Sequence, residues 1–145
     1  MPTRSFEAID PDYAQRVKVS FYGQPFMRLV GGRLISVTPG HCEIQLPHKP
    51  ELTQQHGYFH AGIIGTMADN AGGYAALTLT APGKEVLTVE YKLNLLLPGN
   101  GKGLISRGRV IKAGRTLIVC QSDVFNVTEN EEVLAATAII TLLPV

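Results

Sequence analysis

Residues 54–79, QQHGYFHAGIIGTMADNAGGYAALTL, decide how the rest of this chain is read. The stretch opens with a polar turn holding Gly57 and two histidines, His56 and His60. Residues 61–79 then run for about five helical turns with Asp69 as their single charged side chain. They contain four glycines, Gly62, Gly65, Gly72 and Gly73, and five alanines. A glycine inside a helix costs roughly 1 kcal/mol relative to alanine, so four in one helix need a physical reason. Space is such a reason: a helix with little side-chain bulk can be wrapped closely by a sheet and approached closely by a ligand.

The helical neighbours of Asp69, three and four positions either way, are Gly65, Thr66, Gly72 and Gly73. That sets the carboxylate in a groove with nothing large beside it. Charged helix residues mostly face solvent, but Met67, Ala68, Ala71, Tyr74, Ala75 and Leu77 leave this helix little polar surface. A helix that is apolar all round is a buried one. A lone carboxylate there is neutralised, paired or poised for chemistry.

The chain has 145 residues, the size of one domain with a core of its own, and residues 1–145 are read as one. Hydrophobic residues make up 45% and charged ones 17%, which is ordinary for a globular protein and compatible with surface buried in an oligomer. Thirteen basic and twelve acidic residues give a net charge of +1, so no footprint for nucleic acid or a membrane surface is visible. No run nears the roughly 20 apolar residues of a membrane span, and the first residues have no apolar signal core. Cys42 and Cys120 lie far apart in apparent strands and read as buried, reduced thiols. The expected location is cytoplasmic.

Around the central stretch, the rest falls into place by periodicity. Asp10-Pro11 reads as a helix start, with Ala14, Val17 and Phe21 on one face and Gly23 and Pro25 ending it. The segment 25–32, PFMRLVGG, reads as a turn, and the whole piece 1–31 as a helical segment packed on the outside. Residues 33–38 and 42–46 read as a hairpin turned by Pro39-Gly40. After the break at residues 81–83, Leu87, Val89, Tyr91, Leu93 and Leu95 alternate with Thr88, Glu90, Lys92 and Asn94. Strands at 103–111, 116–127 and 132–143 follow, joined by tight turns and so antiparallel. One long helix against one curved antiparallel sheet is an α+β two-layer fold.

Several constellations compete for the chemistry. A helix starting near Ala61 offers free amides and the positive end of its dipole to a carbonyl oxygen that turns negative in acyl transfer. Asp69 follows His60 by nine residues, about 13 Å of helix rise. One carbonyl cannot easily touch both places, so a composite site shared by two copies of the chain is expected. His56 and His60 with Asp69 suggest no fourth zinc ligand, and a helix across Gly57 is disfavoured, so no metal is expected. His41 and His48 read as surface residues. No Gly-x-Ser-x-Gly elbow and no phosphate-binding glycine loop occurs. Lys112 and Arg115, near Arg107 and Arg109, form either a solvated hairpin or a docking point for phosphates.

Gln54-x-x-Gly57-x-x-His60-Ala61-Gly62, with Asp69 further on, resembles the Asn-x-x-Gly-x-x-His-Gly-Gly…Asp signature of hotdog-fold acyl-CoA thioesterases. The phenylacetic acid degradation type is the most similar, and VEYKLNLLLPG and GRVIKAGRTLIVCQSDVF resemble its later strands, from about residue 25 onward. The resemblance implies a long helix wrapped by about six antiparallel strands, paired into a homodimer with a continuous sheet and often into a homotetramer. It implies coenzyme A as part of the substrate and no further cofactor. Asp69 is then the general base, or the nucleophile, and Thr88 helps hold the attacking water. The Ala61 amide, with Gly62, forms the oxyanion hole in the opposite subunit, while Gln54 and His60 orient the loop and the thioester. Tyr58, Phe59, Met67 and Tyr74 are candidates for contact with the acyl group, and Lys112 and Arg115 for coenzyme A. Gln54 stands where the signature has Asn, and Ala61 where it has Gly. Two other readings are a hydratase or dehydratase, which needs a histidine this helix lacks, and a non-catalytic acyl-CoA-binding module.

Overall fold

The computed structural model describes residues 4–145; Met1, Pro2 and Thr3, the first residues of the N-terminal segment 1–31, lie outside it. Two helices come first, α1 at Tyr13–Gly23 and α2 at Pro25–Val30. Strands β1 (Arg33–Thr38) and β2 (His41–Pro47) lead through a 3-10 turn at Pro50–Leu52 to the long helix α3, Ala61–Leu77. Strands β3 (Val86–Leu95), β4 (Gly103–Ala113), β5 (Ile118–Val127) and β6 (Glu132–Pro144) complete the fold. They form one sheet in the order β1-β2-β4-β5-β6-β3, antiparallel throughout. Helix α3 packs across its concave face, so the α+β architecture expected from the pattern is the one observed. No helix among the described residues is long and apolar enough to cross a membrane.

The core lies between α3 and the sheet. Ile44, Leu46, Leu104, Cys120, Val124 and Ile140 meet Met67, Ala68, Ala71 and Ala75, all of them fully buried. Two glycines make this contact possible. A Cβ on Gly108 of β4 would stand 2.2 Å from the Ala71 carbonyl oxygen, and one on Gly72 would stand 2.6 Å from Ile140 Cδ1. An alanine at Gly108 would run into the Ala71 backbone and force the layers apart, and one at Gly72 would require Ile140 to shift, a reason for α3 to carry a glycine there. Both cysteines are free and buried, and burial pushes each thiol up to about 12.

Helix α1 is fastened to the far end of α3 by one side chain. Arg16 donates to the carbonyls of Leu77, Thr80, Ala81 and Lys84, and pairs through Nε with Asp10 Oδ2 at 3.1 Å. Those carbonyls belong to the last residue of α3 and to the loop that follows it, so the guanidinium ties α1 to both.

The structure corrects the sequence reading in three places. Asp10 does not begin the helix: it accepts the Asp12 amide in a turn, and α1 starts at Tyr13. Ala14 is consequently exposed, while Val17 and Phe21 are buried. The expected turn at 25–32 is instead mostly helix α2, with Pro25 in its first turn, Met27 and Val30 buried, and Gly31 closing it at φ 88°.

The third correction bears on the site. The simple alternation along β3 breaks at Val89, a bulge: Thr88 pairs with Leu142 and Glu90 with Thr141, so Val89 has no opposite number. Thr88 then shares the helix-facing side of the sheet with Tyr91 and Leu93, whose partners Ile140 and Ala138 are buried. Glu90 turns to the outer side, where it accepts from Thr141 Oγ1. A regular strand would have placed Thr88 and Tyr91 on opposite faces.

Candidate active site

The loop before α3 is built from its own hydrogen bonds. Gln54 donates its amide to the Tyr58 carbonyl at 2.8 Å and accepts the Gly57 amide at 2.9 Å, with Gly57 at φ 83°. Its side-chain Oε1 accepts the His56 amide at 2.6 Å, so Gln54 holds the shape of the turn. Phe59 is buried, donates its amide to the Gly99 carbonyl and packs its ring on His48; Tyr58 next to it is exposed.

His60 is the N-cap of α3, extended at φ −60° and ψ 137°. Its Nδ1 accepts the Gly62 amide at 2.9 Å, and its carbonyl accepts the amides of Ile63 and Ile64. The Gly62 amide, expected alongside that of Ala61 in the oxyanion hole, is therefore engaged inside the cap. Of the amides opening α3, that of Ala61 alone has no partner among the described residues. It borders an apolar groove of about 380 Å³ walled by Gln54, Tyr58, Phe59, Ile64 and residues 95–99.

Asp69 lies elsewhere on the same helix. Its Oδ1 accepts the Thr88 hydroxyl at 2.7 Å, across the gap that the β3 bulge bridges. No Lys, Arg or His among the described residues pairs with it. Burial raises its pKa above the ordinary carboxylate value, and the bond from Thr88 pulls the other way without cancelling it. The carboxylate faces a second cavity, about 140 Å³, shared with Asn70, Gly73 and Tyr74 of α3, with Ser20 of α1 and with Gln24 just after it. Neither cavity contains a residue of the other. The Ala61 amide and the Asp69 carboxylate open into separate spaces on one chain.

Of the residues singled out in the sequence, the structure joins Asp69 with Thr88, and Gln54, Tyr58, Phe59 and Ala61 with one another. His60 and Gly62 border a third groove, with Phe26 and Leu52, on the other side of the helix start. Lys112 and Arg115 are exposed at the β4–β5 hairpin. The register runs from Thr88 to Leu142, Ile118 and Ala113, so that hairpin sits at the Asp69 end of the sheet. Ser20, Gln24 and Glu85 line the Asp69 cavity and had no signal in the sequence, because nothing in a pattern of hydrophobicity says where α1 packs.

Comparison with known proteins agrees with the fold. Residues 56–133, more than half of the chain, match the Thioesterase superfamily. A crystal structure of a thioesterase family protein from Silicibacter pomeroyi is 43% identical, covers 92% of this chain and 98% of its own, and superposes with a TM-score of 0.90. The E. coli PaaI protein from the phenylacetic acid degradation operon, at 18% identity, shares the fold: it covers 92% of this chain and 94% of its own, with a TM-score of 0.81. A protein of Saccharolobus solfataricus bearing the name "Putative esterase" is 35% identical over 61% of this chain, and the match spans 63% of that relative's own length. A curved six-stranded antiparallel sheet around one long helix is the hotdog architecture, and this chain belongs to the thioesterase superfamily.

Proposed function

We propose that this protein hydrolyses an acyl-CoA thioester to a free acid and coenzyme A, in sites shared between two copies of the chain. The observation that carries the reading is Asp69: a half-buried carboxylate with one hydroxyl partner, no cation and a raised pKa, facing a cavity. A carboxylate whose pKa is raised by burial is a stronger base than an ordinary one. Asp69 takes a proton from a water held with the help of Thr88, and the water oxygen bonds to the thioester carbonyl carbon. The resulting oxyanion is held by the Ala61 amide of the other copy, at the positive end of α3. The C–S bond then breaks, and the coenzyme A sulfur leaves with the proton that Asp69 had taken.

The pairing is supported by β3. This edge strand exposes Leu87, Val89, Tyr91 and Leu95, and Leu96 and Leu97 just after it, each 45% or more accessible. A long apolar edge with open backbone groups invites a second strand. An antiparallel partner β3 centred between Tyr91 and Lys92 sets Thr88 of one copy opposite Leu95 of the other. Leu95 lines the groove that holds the Ala61 amide, so that register joins the two half-sites. A face-to-face association of two such dimers gives the homotetramer. Lys112 and Arg115, at the Asp69 end of the sheet, are placed to meet coenzyme A phosphates as charge-assisted donors.

The test is thiol release from a panel of acyl-CoAs by the wild type and Asp69→Ala, with the mass in solution measured in parallel. Release by the wild type alone supports the reading. Equal slow release by both proteins points to a binding module, and hydration of an enoyl-CoA without thiol release points to a hydratase.

A further inference from the structure

This inference rests on the reading just given, which sets the thioester carbonyl at Asp69, and it takes the acyl group to run on from there along α3. One turn beyond the carboxylate, on the same face, is Gly73. A Cβ there would meet Leu142 Cδ2 alone, at 3.6 Å, so the space above Gly73 is open. Tyr74 follows, about 7.5 Å along the helix axis from Asp69. Its hydroxyl is hydrogen-bonded to Ser20 of α1 at 3.1 Å, and its ring meets Phe21 of α1 edge-on with centroids 5.6 Å apart. Gln24, the cap that closes α1, is fixed by its own bond to the Phe21 carbonyl and lines the same cavity. The tyrosine is thus held at both its ring and its hydroxyl by a helix that Arg16 fastens to the end of α3.

We infer that α1 sets the length of the acyl group: the Ser20–Tyr74 pair is the end wall of the acyl cavity and Gly73 its floor. The cavity so closed takes a single ring or a short chain and turns away longer ones. Tyr74 meets the acyl group directly. Ser20 acts through Tyr74 and is a positioning residue.

The experiment compares kcat/KM for phenylacetyl-CoA and a straight-chain series from acetyl- to dodecanoyl-CoA. Gly73→Ala adds one methyl to the floor, and the ratio of phenylacetyl to acetyl turnover is expected to fall about tenfold, the usual scale for one methylene in an apolar pocket. Tyr74→Ala is expected to move the preferred chain length upward, and Ser20→Ala and Tyr74→Phe, which remove the hydrogen bond alone, to move it less in the same direction. Loss of folding or a merely structural role would depress every substrate alike, so unchanged ratios in all four variants would overturn the inference. Non-hydrolysable thioether analogues of the same series are titrated by calorimetry. Affinities whose chain-length order shifts with the variants, in a protein that releases no thiol, would uphold the end wall and sink the hydrolysis. Robust hydrolysis with a chain-length order indifferent to Gly73 and Tyr74 would do the reverse.

Discussion

The two places on α3 that the site needs are made of different materials. At its start the proposed working group is a backbone amide, set by a loop whose side chains Gln54 and His60 bond to the main chain. At its middle the proposed working group is a side chain, Asp69, among glycines that keep bulk away from it. The comparison teaches where substitution is tolerated. A backbone donor is expected to survive a change of its own side chain so long as the cap geometry persists. A carboxylate has no substitute.

The sharpest break between the halves is expected at Asp69. Asp69→Asn keeps the shape and the Thr88 bond but removes the base, and thiol release should fall about 10²–10⁴-fold. Its thermal midpoint should be unchanged or higher, because the raised pKa marks a charge that folding disfavours. The sign follows from linkage. With the folded pKa above the unfolded one, stability from this group is fully present below the ordinary carboxylate range. It is lost as pH rises through the raised value, and the variant should not show that loss.

The backbone half is broken by Ala61→Pro. Proline is favoured at the first position of a helix, and His60 already has the extended conformation that a following proline demands. The variant should fold, lose only the N–H, and lose about 10²–10³-fold in kcat. Ala61→Gly, by contrast, should retain most of the activity. Retained turnover in Ala61→Pro would remove the amide from the mechanism.

Smaller effects sharpen the contrast. His60→Ala removes the cap acceptor for the Gly62 amide and should cost about 1 kcal/mol of stability, read by chemical denaturation. Thr88→Val removes the one contact that lowers the Asp69 pKa. Since kcat/KM rises with pH as the base ionises, its acid limb should move to higher pH in that variant. An acid limb that stays in place would separate Thr88 from the titration of Asp69.

How much of this was legible in the sequence differs between the halves as well. The helix from Ala61, its glycine-rich packing and the odd position of Asp69 follow from periodicity and composition, and the structure places Gly72 against the sheet as that reading required. The pairing of Thr88 with Asp69 did not follow from alternation. It needs the bulge at Val89, and an extra unpaired residue leaves no trace in a period-two pattern. The helix at 25–30 was hidden for a similar reason: six residues beginning with proline are too few to display a 3.6-residue period.

By itself the sequence determined the two-layer fold, the buried helix with its lone acid, and the polar, glycine-containing turn in front of it, since each is a local pattern of size, polarity and backbone freedom. Only the tertiary structure decided that Gly62 spends its amide on His60 and that α1 walls the Asp69 cavity. It alone decided, too, that the amide and the acid open into separate spaces on one chain. Those are matters of which surfaces meet, and distant segments meet through packing that no single stretch of residues encodes.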